Sequence, residues 1–531
     1  MRRSFFFHCV LATLFVACAL PVCSMLARSV YIDGRLTFSA YSGVLNSGRQ
    51  WRLMWNSVSL AAFVAISTVS LGVPLGVLFG KTDMPFKRVF AAAFAAPLLV
   101  PPYVFAVSWF DLLGRNGFLS AALGWSAANA AERFLSGFPG CALVHFSVFL
   151  PVPILLTMVF LRTVDSRLEE AARIAAGWRG ALFGVTLPLI LPGILLSGML
   201  VFLLSFGEIG VPNYLRYDVF PLESFIQFSA FYNFETATAA AAPLLAVTLA
   251  LIALERFFLR DKTYEPRVIS GNETFTLIPL GKHGAWISAL TALLSFLLVI
   301  LPISALAAGA GGWDSYAEAF ERAGWSLVRS FAYASMGGAC VAVFGFLAGY
   351  VIHSKSIPGW RLADTLTIFL FALPSSVIGI GLISLWNHHW SNFIYATPAI
   401  IILGYLAKYT ALGSRITVAR LTSIPASMEE AARISGAGWF RSMALVVVPL
   451  SARALLAGWL VGYIFSLRDT GITMLVYPPG HETLPVRIFT LMANGSRELV
   501  SALCLIMTAS ALLPLGLAWT AWRVSRAWRK L

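Results

Sequence analysis

Glu169 and Glu170 are followed by Ala171, Ala172 and Arg173, and the same five residues return as Glu429, Glu430, Ala431, Ala432 and Arg433. On a helix, an acid four residues before an arginine is the favoured order for an ion pair, and two acids in a first turn suit the positive end of the helix dipole. The paired alanines supply helix propensity and a small, smooth face on which another surface can lie close. That is the chemistry of docking, and no catalytic group is expected. Two further acids take matched places 261 residues apart, Glu208 in SFGEIG and Asp469 in SLRDTG. An acid near a membrane boundary ordinarily caps a helix, snorkels, or pairs with a neighbour such as Arg468. The other reading puts the pair at the outer mouth of a pathway, where a hard trivalent cation would meet carboxylates. Asp111 and Glu223 are weaker candidates of the same kind. His388 and His389 are adjacent, point differently on a helix and make a poor metal site, so they read as surface residues. The six cysteines (9, 18, 23, 141, 340 and 504) fall almost entirely in apolar stretches without metal spacing. They read as small hydrophobic residues, and neither a metal site nor a cofactor is expected.

The docking residues sit in a longer repeat. Residues 169–189, EEAARIAAGWRGALFGVTLPL, return at 429–450 as EEAARISGAGWFRSMALVVVPL. With one gap opposite Ala437, 11 of 21 aligned positions are identical. Lipid-facing segments resemble one another cheaply because they draw on few residue types, whereas a charged island repeated at a constant offset does not. Gly177 in one copy, and Gly436 and Gly438 in the other, are helix stops, and Pro188 and Pro449 mark the next apolar segment. Each copy therefore reads as a short helix, a turn and a return into the membrane. Taken singly it is an ordinary amphipathic surface loop; taken as a pair it is a duplicated functional loop.

The elements that position these loops are set by composition. The chain has 531 residues, 59% hydrophobic and 12% charged, with mean hydropathy +0.80. Soluble domains carry about 25% charged residues, so the chain reads as an all-α polytopic membrane protein. Twelve spans are expected, at about 5–27, 54–80, 89–113, 140–161, 189–206 and 237–259, then about 284–308, 327–352, 363–386, 396–412, 450–466 and 500–521. Residues 1–265 form a first repeat, 266–283 a polar linker and 284–531 a second repeat. The net charge of +14 suits basic cytoplasmic loops in the lipid bilayer better than nucleic acid, which is not an expected partner. With the N-terminus inside, 25 of 38 Lys and Arg fall on the inner side, Lys408 counted among them. Both termini and both polar loops are then cytoplasmic, and the repeats run parallel. The first segment, with no clean A-x-A, reads as a span rather than a cleaved signal. No G-x-x-x-x-G-K-[ST] occurs, so any ATP-driven engine is another polypeptide.

Glu170-Ala171-Ala172 and Glu430-Ala431-Ala432, each with a later glycine and proline, resemble the EAA loop of binding-protein-dependent ABC importer permeases. The second copy has Gly436 at the family spacing; the first has Ala176 there, with Gly177 one residue late. The resemblance implies a fused two-half permease of the bacterial inner membrane. Two copies of a cytoplasmic ATPase would dock on the loops, and a periplasmic binding protein would deliver substrate. Softer motifs resemble the ferric-iron branch of that family. They are Thr82-Asp83-Met84-Pro85, Pro101-Pro102-Tyr103-Val104, Leu113-Gly114-Arg115-Asn116-Gly117 and the stretch 467–489. They imply ferric cargo, with thiamine, a phosphonate or a polyamine as alternatives. Pro97, Pro101 and Pro102 break the third span, as a packed kink or as one lining a pathway, and Pro374 marks a similar break in the second repeat. A twelve-helix secondary transporter is the competing class; it lacks EAA loops and usually carries mid-span ionisable groups, which are scarce here.

Overall fold

The computed structural model describes residues 2–32, 35–114, 117–119, 125–229, 234–259, 277–355 and 359–528. Among them, regular structure is almost wholly helical, and the one sheet pairs Tyr31 with Leu36 and Ile32 with Arg35. Seven helices are long and apolar enough to cross a membrane: Gly48–Lys81, Phe138–Leu161, Ser166–Phe206, Glu235–Leu254, Gly281–Gly309, Trp313–Ser354 and Arg497–Leu517. Five bent helix pairs bring the number to twelve if each is one span. These elements overlap the expected spans one for one, in an all-α, multi-pass membrane protein. Helix ends differ more. Trp313–Ser354 begins well before residue 327, and Ala399–Thr422 runs past 412. Hydropathy marks the thickness of hydrocarbon crossed, and a helix continues into water while its residues still favour it.

The bends have local causes. Lys87–Leu99 meets Pro102–Leu113 at 104°, and Trp360–Ala372 meets Ser375–Trp386 at 111°. Pro101 (ψ 139°) and Pro374 (ψ 143°) are extended residues at these breaks, each capping the second limb. Pro101 lacks an N–H to continue the helix, and Pro102 after it holds it out of the helical region. A second proline effect went unread in the sequence. Four five-residue π-turns, Phe15–Ala19, Leu182–Thr186, Phe296–Ile300 and Met443–Val447, each end two residues before a proline. Those prolines are Pro21, Pro188, Pro302 and Pro449. Each frees the carbonyl four residues earlier, inside the wide turn, which accommodates the ring.

Elements distant in sequence interleave. Leu20–Val30 packs on Ser375–Trp386, where Arg28 Nη1 donates to the Ser384 carbonyl at 2.9 Å. Leu301–Gly309 packs on Pro102–Leu113 so closely that a Cβ on Gly309 would lie 2.5 Å from Asp111 Oδ2. One apolar core joins Val104, Leu306, Tyr463 and Leu503; another joins Met25, Leu244, Ile380 and Tyr405. In lipid, helices associate through close packing rather than the hydrophobic effect, and small residues permit it. Trp313–Ser354 crosses Ala399–Thr422 at such a point, where a Cβ on Gly345 would sit 2.7 Å from Gly413 Cα. Of the expected linker, 266–276 lie outside the described residues. Its end is held to the 82–85 turn, with Ile278 N donating to the Lys81 carbonyl at 2.7 Å and Leu280 N to Asp83 Oδ1 at 2.8 Å. Arg115 and Asn116 of the Leu113–Gly117 motif also lie outside the described residues.

Candidate functional site

Both polar repeats fold as a helix closed by a left-handed glycine. Asp165 caps Ser166–Ala181, its side chain accepting from Arg167 N at 2.9 Å, and Gly177 (φ 68°) breaks the helix. Ala426–Ile434 is closed by Gly436, φ 80°. Gly438, the other expected stop, is extended and instead starts the next short helix. A Cβ is disfavoured at positive φ, and these two glycines mark where each copy turns out of its first helix.

The first acid of each copy faces inward. Glu169 is buried between the Lys81 ammonium and the Thr186 hydroxyl, with Thr186 Oγ1 donating to Oε1 at 2.8 Å. The Arg173 guanidinium, expected to face Glu169, lies 5.1 Å from the centre of the Trp178 ring. A surface i,i+4 pair is worth only a few tenths of a kcal/mol, so a buried cation from a neighbouring helix outcompetes it. In the second copy the expected pair forms, Glu429 to Arg433 at 3.6 Å, and the Tyr350 hydroxyl sits 3.3 and 3.4 Å from the two carboxylate oxygens. Lys81 ends one long helix and Tyr350 lies near the end of another. The first acid thus ties each polar helix to the helix beneath it.

The opposite side is bare. Ala171, Glu430 and Ala431 are exposed, while Glu170, Ala172 and Ala432 are half-buried. Beside the alanines stand Leu168 and Ile174 (83% exposed) in one copy, Met428 and Ile434 (88% exposed) in the other. Spaced by three about Ala171 and Ala431, they make one apolar side on each helix. These four were missed from the sequence, although comparing the copies pairs Leu168 with Met428 and Ile174 with Ile434.

The second candidate region is a cavity of about 820 Å³, counting its opening, lined among others by Pro102, Glu208, Pro374, Lys408, Arg468 and Asp469. Glu208 accepts from Gly210 N at 2.9 Å and Val211 N at 2.8 Å, opening the Gly210–Tyr214 helix, and His145 Nε2 lies 3.4 Å away. Asp469 accepts from Ile472 N at 3.0 Å, Thr473 N at 3.2 Å and the Tyr409 hydroxyl at 2.7 Å. Both acids are therefore helix caps as well as cavity residues. Arg468, the neighbour expected to pair with Asp469, donates to the Leu98 carbonyl and lies 5.1 Å from the Phe465 ring centre. Lys408 corrects the loop charge count: it lies within Ala399–Thr422, its ammonium on Ser375 Oγ. It falls inside the expected 396–412 span, so the count of inner-side charges and the span list disagreed at this residue. Pro102 lines the cavity, whereas Pro101 is buried at the bend.

The weaker candidates have structural partners. Asp111 is buried against Arg497 Nε at 2.6 Å and Ser501 Oγ at 2.7 Å. Glu223 meets Arg49 at 2.8 Å and accepts from Gln227 and Gln50. Burial pushes the Glu223 carboxyl up, but these hydrogen bonds outweigh it and leave the group below the usual carboxylate range. His388 and His389 are exposed, with His388 stacked on Trp390.

Paired polar helices with bare apolar sides, carried on interleaved apolar helices around a cavity that holds two acids and two cations, fit a membrane transport subunit. Residues 341–523 match the family described as binding-protein-dependent transport system inner membrane component, and the chain belongs to that family. It is an ABC transporter permease, a transport subunit and not an enzyme. The putative ferric transport system permease protein FbpB 1 of Haemophilus influenzae is 21% identical over 91% of this chain and 78% of its own length. The molybdenum transport system permease protein ModB of Escherichia coli is 32% identical over 29% of this chain and 69% of its own. The thiamine transport system permease protein ThiP of Brucella abortus is 23% identical over 86% of both.

Proposed function

We propose that the chain is the permease of an importer that moves ferric iron handed over by a periplasmic binding protein. In this reading 1–265 and 284–531 are parallel repeats joined by a cytoplasmic linker, with both termini in the cytoplasm. Two copies of an ATPase dock on the Ser166–Ala181 and Ala426–Ile434 helices through Glu170, Ala171, Glu430 and Ala431, and their closure drives alternating access. The pathway runs through the cavity at Pro102, Glu208 and Asp469, beside the Pro101 bend. The observation that carries the docking is the matched apolar side, Leu168, Ala171 and Ile174 against Met428, Ala431 and Ile434, left bare on helices anchored from behind by Glu169 and Glu429. Ferric cargo is supported by the ferric permease relative that matches along 91% of the chain. A molybdenum cargo is the second reading, favoured by the higher identity of the molybdenum permease over the stretch it covers.

Replacing Ala171 or Ala431 by aspartate is expected to abolish docking, since it buries an unpaired charge in the contact at several kcal/mol. Glu170→Lys and Glu430→Lys are expected to weaken it by reversing charge near a helix start. Co-purification of the ATPase, with binding-protein-stimulated ATP hydrolysis in proteoliposomes, reads both. Wild-type behaviour of all four variants would rule out the docking role. Uptake of radioiron against radiomolybdate by the same proteoliposomes decides the cargo.

A further inference from the structure

We propose that the central cavity is an oxyanion site, with Lys408 and Arg468 as its ligands. The inference rests on the permease reading and deepens it: the cargo crosses as an oxyanion, or as a metal ion carried by one. Lys408 and Arg468 line the same cavity, half-buried, one within Ala399–Thr422 and the other just after Ala452–Leu467. Among the described residues, no carboxylate lies within ion-pairing distance of either. Each makes one hydrogen bond, Lys408 to Ser375 Oγ and Arg468 to the Leu98 carbonyl. An ammonium has three N–H donors and a guanidinium five, so most of their donor capacity is unspent. Charges inside a membrane span are costly, and those kept there ordinarily mark a substrate path.

The acids of the cavity do not fill that role. Glu208 is held by two backbone N–H groups, and Asp469 by two more and the Tyr409 hydroxyl. The walls add positive potential. Pro102 opens one broken helix and Ser375 opens the other, both reach the cavity, and each following helix is twelve residues long. The start of a broken membrane helix carries partial positive charge and suits anionic groups of a substrate. A bare trivalent cation would meet two cations and two such helix starts, offset only by Glu208 and Asp469, whose oxygens already accept backbone hydrogen bonds. An oxyanion meets complementary charge, and a ferric ion wrapped by one presents the same oxygens.

The test uses the full chain in nanodiscs with inorganic phosphate and molybdate as probes at low ionic strength. Saturable binding of at least one probe is expected, weakened about tenfold or more in Lys408→Gln and in Arg468→Gln, the loss of one charge-assisted contact. Lys408→Arg should restore it to within a few-fold, and Glu318→Gln, at an exposed ion pair with Arg322 outside the cavity, should leave it intact. Co-purification of the ATPase with every variant controls for folding and tests the permease reading by itself. In reconstituted importer, loss of radioiron uptake from ferric phosphate in Lys408→Gln means that the oxyanion travels with the metal; loss of molybdate uptake means that it travels free. No saturable binding of either probe, or equal affinity in wild type, Lys408→Gln and Arg468→Gln, overturns the site. Loss of the ATPase from the wild-type chain would instead overturn the permease reading.

Discussion

Lys81→Met should uncouple the first polar helix and leave the second in place. The substitution removes the buried ammonium facing Glu169, itself buried beside Thr186. Removing one partner of a buried ion pair costs about 3–5 kcal/mol, because it strands a charge. The matching contact in the second copy is weaker. Tyr350→Phe deletes a hydroxyl 3.3 Å from a half-exposed carboxylate, worth about 0.5–1.5 kcal/mol. At about 1.4 kcal/mol per decade, the first change shifts local opening by roughly two to four decades and the second by about one or less. Hydrogen exchange on the full chain in nanodiscs, followed in 166–176 and 426–434, reads both. Protection should fall sharply in 166–176 for Lys81→Met, and only slightly in 426–434 for Tyr350→Phe. Adding Glu169→Met to Lys81→Met should restore protection, since replacing both partners of a buried pair by apolar residues is nearly neutral. Equal effects of Lys81→Met and Tyr350→Phe, or no recovery in the double variant, would refute the reasoning. The buried anchor makes the first loop the more sensitive of the two.

Three further outcomes follow from other contacts. Glu223 has a folded pKa below its unfolded value, so its contact with Arg49 stabilises fully above about pH 4.3 and loses its contribution as pH falls through the folded value; Glu223→Gln should flatten that part of an acid-unfolding profile, and an unchanged profile counts against the contact. Arg497→Gln strands the buried Asp111 beside Ser501 and should cost about 3 kcal/mol, the low end for a buried pair because the guanidinium is partly exposed, read as a lowered Tm in detergent. Gly413→Leu should separate the Trp313–Ser354 and Ala399–Thr422 helices, since even a Cβ there would meet the Val341 carbonyl at 2.5 Å; wild-type thermal stability would show that the crossing is not tight.

What the sequence disclosed was what repeats or what is apolar. The span positions came from hydropathy, and the polar helices from a charged island too costly to recur by chance. Pro101 and Pro374 announced their bends because proline acts on its own backbone. What escaped depends on who faces whom. Glu169 has an arginine four residues away, yet its carboxylate faces Lys81, 88 residues earlier. Glu208 and Asp469 were paired by their places in the sequence, but that each would cap the helix just after it was one reading among several. Lys408 was counted with the inner-side charges although it falls inside the expected 396–412 span, and only the packing of its helix shows that it faces the cavity. The π-turns required seeing how a freed carbonyl is absorbed, which no local propensity encodes.

Cross-linking from the bare apolar sides tests the docking most directly. Cysteine replaces Ile174 in one variant and Ile434 in another, both in a chain lacking its native cysteines, and each is co-expressed with the ATPase. A short thiol-to-amine reagent is then applied to inside-out membrane vesicles. The expected result is a covalent product of chain and ATPase from both positions, changing in yield as ATP binds. Labelling of both cysteines by a membrane-impermeant thiol reagent in intact cells, with no ATPase product in vesicles, would contradict it.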